Sequence, residues 1–498
     1  MNVNPITRLD YPDPDVIRVE DTYYMVSTTM HFMPGCEILQ SFDLVHWEHV
    51  TYVYETLDHT DAQQLKSGQN IYGQGMWAAS LRYHEGRFYI CFVANDTRKT
   101  YLYTSEKIDG PWKKQLIEGF YHDGSLLFDE DGRNYIVYGN DEIWITELNE
   151  DLTAPKKDGL HRLLVSDHKN PELGYEGSHI QKINGYYYIF LVHSLRDRWM
   201  RTEACFYSDS LEGEFTGGDV LCDDRGYCGQ GVAQGGIVDT PDGKWYAMLF
   251  QDSGAVGRLP ILLPVTWKDH FPFFGQNGHV PEEIEVHSTR PGYIYQPLVG
   301  SDDFCNGLLP RWQFNHDPDP RYYHLDALQG TYTITTREVC TELTQAVNTL
   351  TQRMSYPSCA AEVTVDASAL KEGDVAGLCA LQGCYAAVGI TKHHGKYEVL
   401  MLDKKEDGIL DMTEGTVVES HQMDFRLEAD FCNMKDEARC YYRVNKGEWL
   451  PIGTVHKLYF KLDHFTGCRF GLFCYAAEET GGSACFRDFK YYDVDEIS

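Results

Sequence analysis

The chain has 498 residues and a formal net charge of −32. At roughly 100–200 residues per domain, two or three domains are expected. So large a surplus of acid argues against nucleic acid or an anionic membrane as partner, since both repel it; a neutral ligand is the easier fit.

The opening residues, MNVNPITRLDYPDPD, have no basic start and no apolar core, so they do not read as a secretion signal. No apolar run approaches the ~20 residues of a membrane helix. The 15 cysteines include no Cys-x-x-Cys pair and read as reduced core thiols. A cytoplasmic protein is the expectation.

Helical periodicity is scarce, and short β-rich runs separated by Gly, Asp and Asn dominate, which predicts an all-β fold. Five runs share one layout: PDVIRVEDTYYMVST from Pro14, ASLRYHEGRFYICFV from Ala79, GSLLFDEDGRNYIVY from Gly124, GSHIQKINGYYYIFL from Gly177 and GGIVDTPDGKWYAML from Gly235. Each has an apolar strand, a tight Gly- or Asp-rich turn and a tyrosine opening a second strand, which is a hairpin signature. The tyrosines are Tyr24, Tyr89, Tyr135, Tyr188 and Tyr246. A β unit recurring every ~40–60 residues is how a propeller blade looks in sequence. A five-bladed β-propeller is expected over residues 1–290.

Twelve residues before each tyrosine stand Trp77, Asp123, Glu176 and Gln234; in blade one, read with a turn one residue shorter, eleven back gives Asp13. Equivalent positions in a propeller ring its axis, so these five are expected at one end of the channel. Three carboxylates converging there repel one another, a cost mostly accepted where chemistry needs it. Two carboxylates and a water suffice to cleave a glycosidic bond with inversion. Blades one and four face each other across the ring. Asp13 is therefore expected as general base and Glu176 as general acid. Asp123, on the blade next to Glu176, should raise its pKa and bind sugar. Trp77 offers a flat face for stacking on a sugar. Phe32, in MHFMPGC, is a further candidate for the pocket, and Arg258, in GAVGRLP, could donate to sugar hydroxyls or a carboxylate.

With these residues in view, NPITRLDYPDPDVIRVEDTYYMVSTT, MWAASLRYHEGRFYI, FYHDGSLLFDEDGRNYIVYG, GYEGSHIQKINGYYYIF and QGGIVDTPDGKWYAMLFQDSGAVGRLP resemble glycoside hydrolase family 43. The resemblance implies a five-bladed propeller and an inverting enzyme that removes arabinofuranose or xylose from plant polysaccharides. It implies Asp13 as base, Asp123 as pKa modulator, Glu176 as acid and Arg258 as a substrate-binding residue. Many members hold a calcium ion through a histidine near the position of Gln234. Here the run departs from that pattern and reads GVAQGGIVD; the expectation is that no cofactor is required, with the Gln234 carbonyl leaving room for a structural calcium.

From Asp302 the repeat stops. Alternating strands such as YEVLMLD and RFGLFCYAAEE predict a β-sandwich over 302–498, resembling the concanavalin-like C-terminal domain of family 43 xylosidases and arabinofuranosidases. In WQFNHDPDPRYYHL, His316 beside Asp317 and Asp319 could suggest a metal site, but two prolines make a solvated turn the expected reading. The substrate expected is an oligosaccharide ending in a pentose, with α-L-arabinofuranose favoured over β-D-xylose. A carbohydrate-binding propeller without catalysis is the alternative of another class.

Overall fold

A computed structural model describes residues 4–493; residues 1–3 and 494–498, at the outer ends of the two expected domains, lie outside it. Among the described residues regular structure is β-strand, apart from four short 3-10 turns. Among the described residues no helix is long and apolar enough to cross a membrane.

Five four-stranded antiparallel sheets come first. Their innermost strands are Asp15–Val19, Met76–His84, Ser125–Phe128, Glu176–Ile183 and Val232–Asp239, and each touches the next, the fifth returning to the first. These are the five blades. Turn chemistry sets their hairpins. Glu85-Gly86 and Asn184-Gly185, with positive φ at both residues, close two-residue loops, the geometry that matches strand twist. Asp129–Arg133 and Thr240–Lys244 form five-residue loops, each closed by a backbone bond between its end residues at 2.9 Å.

The recurring tyrosine is explained by packing between blades. Tyr24 meets Phe88 of blade two edge-on, and Tyr89 meets Phe128 of blade three. The propeller core accordingly divides into clusters between neighbouring blades. One joins Val16 and Met25 of blade one to Val238 and Met248 of blade five. The chain start closes the same gap: Ile6 N–H donates to the Pro260 carbonyl and Tyr11 N–H to that of Arg258.

The second half is a sandwich of a nine-stranded and a seven-stranded sheet around one large apolar core. The larger sheet begins inside the propeller. Strand Phe32–Met33 pairs with Gln313–Asn315, matching Phe314 to Met33 and Asn315 to Phe32. Two buried links reinforce the junction. Arg353 of the sandwich meets Glu37 of blade one at 2.8 Å, and Asp10 accepts from the backbone N–H groups of Arg258 (2.8 Å) and Gly467 (2.7 Å).

Two expectations change here. Phe32 is not on the pocket wall. It is fully buried in a cluster otherwise made of sandwich residues, with the Arg469 guanidinium 3.4 Å above its ring. The 316–319 run is not a solvated turn either, because the domain junction covers it. His316 and Asp317 are buried; His316 Nε2 accepts from Ile71 N–H at 3.0 Å, and Asp317 N–H donates to the Gln63 carbonyl.

Candidate active site

Asp13, Trp77, Asp123, Glu176, Gln234 and Arg258 line one cavity of about 600 Å³ at an end of the propeller axis. The strand register shows how. The aligned tyrosines face Ile17, Arg82, Leu127, Gln181 and Val238 across their hairpins. Four residues before those partners stand Asp13, Ala78, Asp123, Gly177 and Gln234. All five have positive φ, at 53°, 21°, 47°, 67° and 64°. The same backbone kink, rare for residues other than glycine, thus recurs in every blade and turns the chain into the channel.

This register corrects the uniform count of twelve. Blades two and four have two-residue hairpin loops, as blade one has, so eleven is the right count there too. Trp77 and Glu176 lie one residue before the kink, and the blade-three residue that matches them is His122. The register shifts after Trp77 and Glu176, between residues 77 and 80 and between 176 and 179. A bulge of this kind re-aims side chains, and both side chains still enter the cavity.

Asp13 is almost fully buried. Its Oδ2 accepts from Thr28 Oγ1 at 2.6 Å, and its Oδ1 from Arg258 Nη1 at 3.1 Å. Thr28 Oγ1 in turn accepts from Ala78 N–H, tying blade one to blade two. The Arg258 guanidinium lies 4.3 Å from the Phe465 ring of the sandwich and donates to the Phe465 carbonyl at 3.4 Å. Phe465 also lies 5.3 Å from the Trp77 ring. With Met434, Phe460, Lys461 and Leu462 it makes the sandwich side of the cavity. Trp199, 44% exposed, lines the cavity from the propeller.

Across the channel, Asp123 Oδ2 accepts from Gly177 N–H at 3.0 Å, and Glu176 Oε2 accepts from Asn140 Nδ2 at 2.7 Å. His122, absent from the expected site, stands between the two acids. Its Nε2 is 3.4 Å from Glu176 Oε2 and 3.6 Å from Asp123 Oδ2. Gly177 has reason to be glycine: a Cβ there would meet the Gln234 side chain at 2.7 Å.

The electrostatics differ from expectation for one acid. Burial raises the Asp123 pKa, with the negative charges of Glu176 and Asp13 adding, to about 6 against the pull of His122. For Glu176 burial also raises, but the hydrogen bond and charge of His122, then Arg201 and Asn140, outweigh it, and the pKa is lowered. The expectation that Asp123 alone would raise Glu176 left out the imidazole beside it. Burial lowers His122, yet Asp123, Glu176 and Asp13 together bring it up to about 9.

Farther down the channel Asp15 Oδ1 has no hydrogen bond and lies 3.8 Å from His179 Nε2. Its other oxygen already takes Leu81 N–H at 2.7 Å and Arg82 Nη1 at 2.8 Å. Calcium takes roughly 6–8 oxygen ligands. One carboxylate oxygen beside a fixed guanidinium does not supply that set, so Asp15 does not by itself build a calcium site.

The model of glycosyl hydrolases family 43 matches residues 3–272, and that of the β-xylosidase C-terminal concanavalin A-like domain matches residues 301–492. The chain belongs to glycosyl hydrolase family 43. It is a glycosidase, and named relatives of the family fall on both sides of the pentose question. It is 27% identical to a β-xylosidase of Formosa agariphila, over 99% of this chain and 89% of that one. It is 26% identical to a non-reducing end α-L-arabinofuranosidase of Bacteroides ovatus, over 66% of this chain and 63% of the other. Among solved structures it matches a bifunctional GH43-CE protein of Bacteroides eggerthii at 42% identity and a TM-score of 0.92, spanning 99% of this chain and 63% of that longer one. It also matches, at 27% identity and a TM-score of 0.86 over 99% of both chains, a GH43 glycoside hydrolase engineered at its active site to display both endo-xylanase and exo-arabinofuranosidase activity.

Proposed function

We propose that this family 43 enzyme removes a terminal pentose from plant hemicellulose oligosaccharides with inversion, α-L-arabinofuranose being the favoured sugar. The observation that carries the reading is the gathering of Asp13, Asp123 and Glu176, drawn from three blades, in one cavity. Asp13 is the general base: Thr28 and Arg258 both donate to it, fixing the orientation of the carboxylate that takes a proton from water. Glu176 is the general acid that protonates the leaving oxygen on the opposite side. Asp123 sets the charge around the acid and accepts from sugar hydroxyls. Trp77 and Phe465 supply flat apolar faces. Arg258 positions the base, and Gln234 fills the floor beside Gly177. The β-D-xylosyl reading stays beside the first because the Formosa agariphila relative is a β-xylosidase.

The test is hydrolysis of 4-nitrophenyl α-L-arabinofuranoside and β-D-xyloside, with the anomer of fresh product read by NMR. Release from at least one, with inverted product, is expected. No release from either would favour a carbohydrate-binding propeller, and a retained anomer would overturn the assignment of base and acid.

A further inference from the structure

We propose that His122 is a positioning residue for the acid, holding the proton that Glu176 delivers to the leaving oxygen. The inference rests on the function proposed above. Its ground is placement. His122 occupies in blade three the position that Trp77 and Glu176 occupy in blades two and four, so the fold itself aims its ring into the cavity. Its Nε2 stands 3.4 Å from Glu176 Oε2, within reach of a direct proton transfer to the acid.

The groups facing the imidazole are Asp123, Glu176 and Asp13, with Trp77 at 6.2 Å. Beyond Glu176 lies Arg201, fixed by Asp252 at 2.9 Å; Lys461 lines the cavity from the sandwich. Three carboxylates keep His122 charged near neutral pH, while Glu176 in the open cavity is ionised. An acid catalyst in that state has no proton to give. Bound substrate changes the balance, because expelling water penalises both charges of an ion pair, and the neutral pair of imidazole and carboxylic acid becomes the better one. The Nε2–H bond breaks and an O–H bond forms on Glu176. That proton then passes to the leaving oxygen as the glycosidic bond breaks. Glu176 is left as carboxylate and His122 as neutral imidazole, which regains its proton from solvent after product leaves.

The test uses leaving groups. A 2,4-dinitrophenyl pentoside leaves without a proton, whereas a sugar leaving group needs one. His122→Asn should lower kcat about 10²-fold or more on the pentosyl oligosaccharide, in the range positioned acid–base groups contribute, and less than about threefold on the dinitrophenyl pentoside. The alkaline limb of the oligosaccharide pH profile should move to lower pH. His122→Gln, which keeps a donor but cannot carry the proton, should show the same split. Equal losses on both substrates, no loss on either, or full rescue by glutamine would overturn the proposal. Wild-type enzyme inactive on both substrates would overturn the functional reading and this inference with it.

Discussion

Arg258 donates to Asp13 at 3.1 Å while its guanidinium plane is covered by a phenyl ring from the other domain at 4.3 Å. The base is thus held by a residue whose own orientation depends on the sandwich. Arg258→Lys keeps the charge but loses the planar fork and its stacking. A charged hydrogen bond contributes about 1.5–3 kcal/mol, so kcat should fall roughly 10–100-fold with folding intact. Steady-state kinetics with thermal unfolding checks this; unchanged kcat would show that lysine serves equally well.

Asp13→Asn and Glu176→Gln each remove one half of the acid–base pair. Each should cost about 10²–10⁴-fold in turnover of oligosaccharide. A rate within tenfold of wild type for either variant would refute its role.

Asp123 makes stability depend on pH in the reverse of the usual carboxylate sense. Its folded pKa, about 6, lies above its ordinary 3.8. The folded state therefore binds the extra proton between these values, and stability falls as pH rises through the window. At about 1.4 kcal/mol per unit, the ionised group costs up to roughly 3 kcal/mol above pH 6. Asp123→Asn should raise Tm at pH 7.5, leave it nearly unchanged at pH 4.5, and lose activity. Unfolding scans at both pH values would show it; an equal gain at both would remove Asp123 as the cause.

Glu37 behaves in the opposite way. Burial raises its pKa, but Arg353 and His49 more than offset that and hold it at about 2, below its ordinary 4.5. Its contribution is complete above pH 4.5 and is lost as pH falls toward 2. Arg353→Met strands the buried carboxylate and should cost about 3–5 kcal/mol at pH 7. Denaturant unfolding at pH 7 and pH 4 measures both effects; a variant as stable as wild type at pH 7 would contradict them.

Phe465→Ala tests the sandwich side of the cavity. Losing the ring over Arg258 removes about 0.5–2 kcal/mol of cation–π attraction. A fall of roughly 3–30-fold in kcat/KM is expected with little change in Tm. Unaltered kcat/KM would mean that the ring does not support Arg258.

The blades are legible in sequence because each hairpin needs an aromatic wedge against its neighbour and a tight turn, and both are local. Asp13, Asp123 and Glu176 could be found by counting from that wedge. His122 could not be found by a uniform count, because a five-residue loop such as Thr240–Lys244 and a two-residue loop such as Asn184-Gly185 shift the count by one. Setting the count by loop type would have reached it. Phe32, His316 and Asp317 depart from expectation for another reason. Their surroundings come from the opposite domain, and nothing nearby in the chain signals a partner so far along it.

The rung that Phe32 and Met33 form with Gln313–Asn315 gives synthesis an order. A ribosome releases Phe32 and Met33 long before the strand that pairs with them. The N-terminal half must wait for Gln313–Asn315 to close its seam and, for its catalytic wall, until the last third of the polypeptide emerges. A gene truncated after the propeller would encode that waiting state permanently.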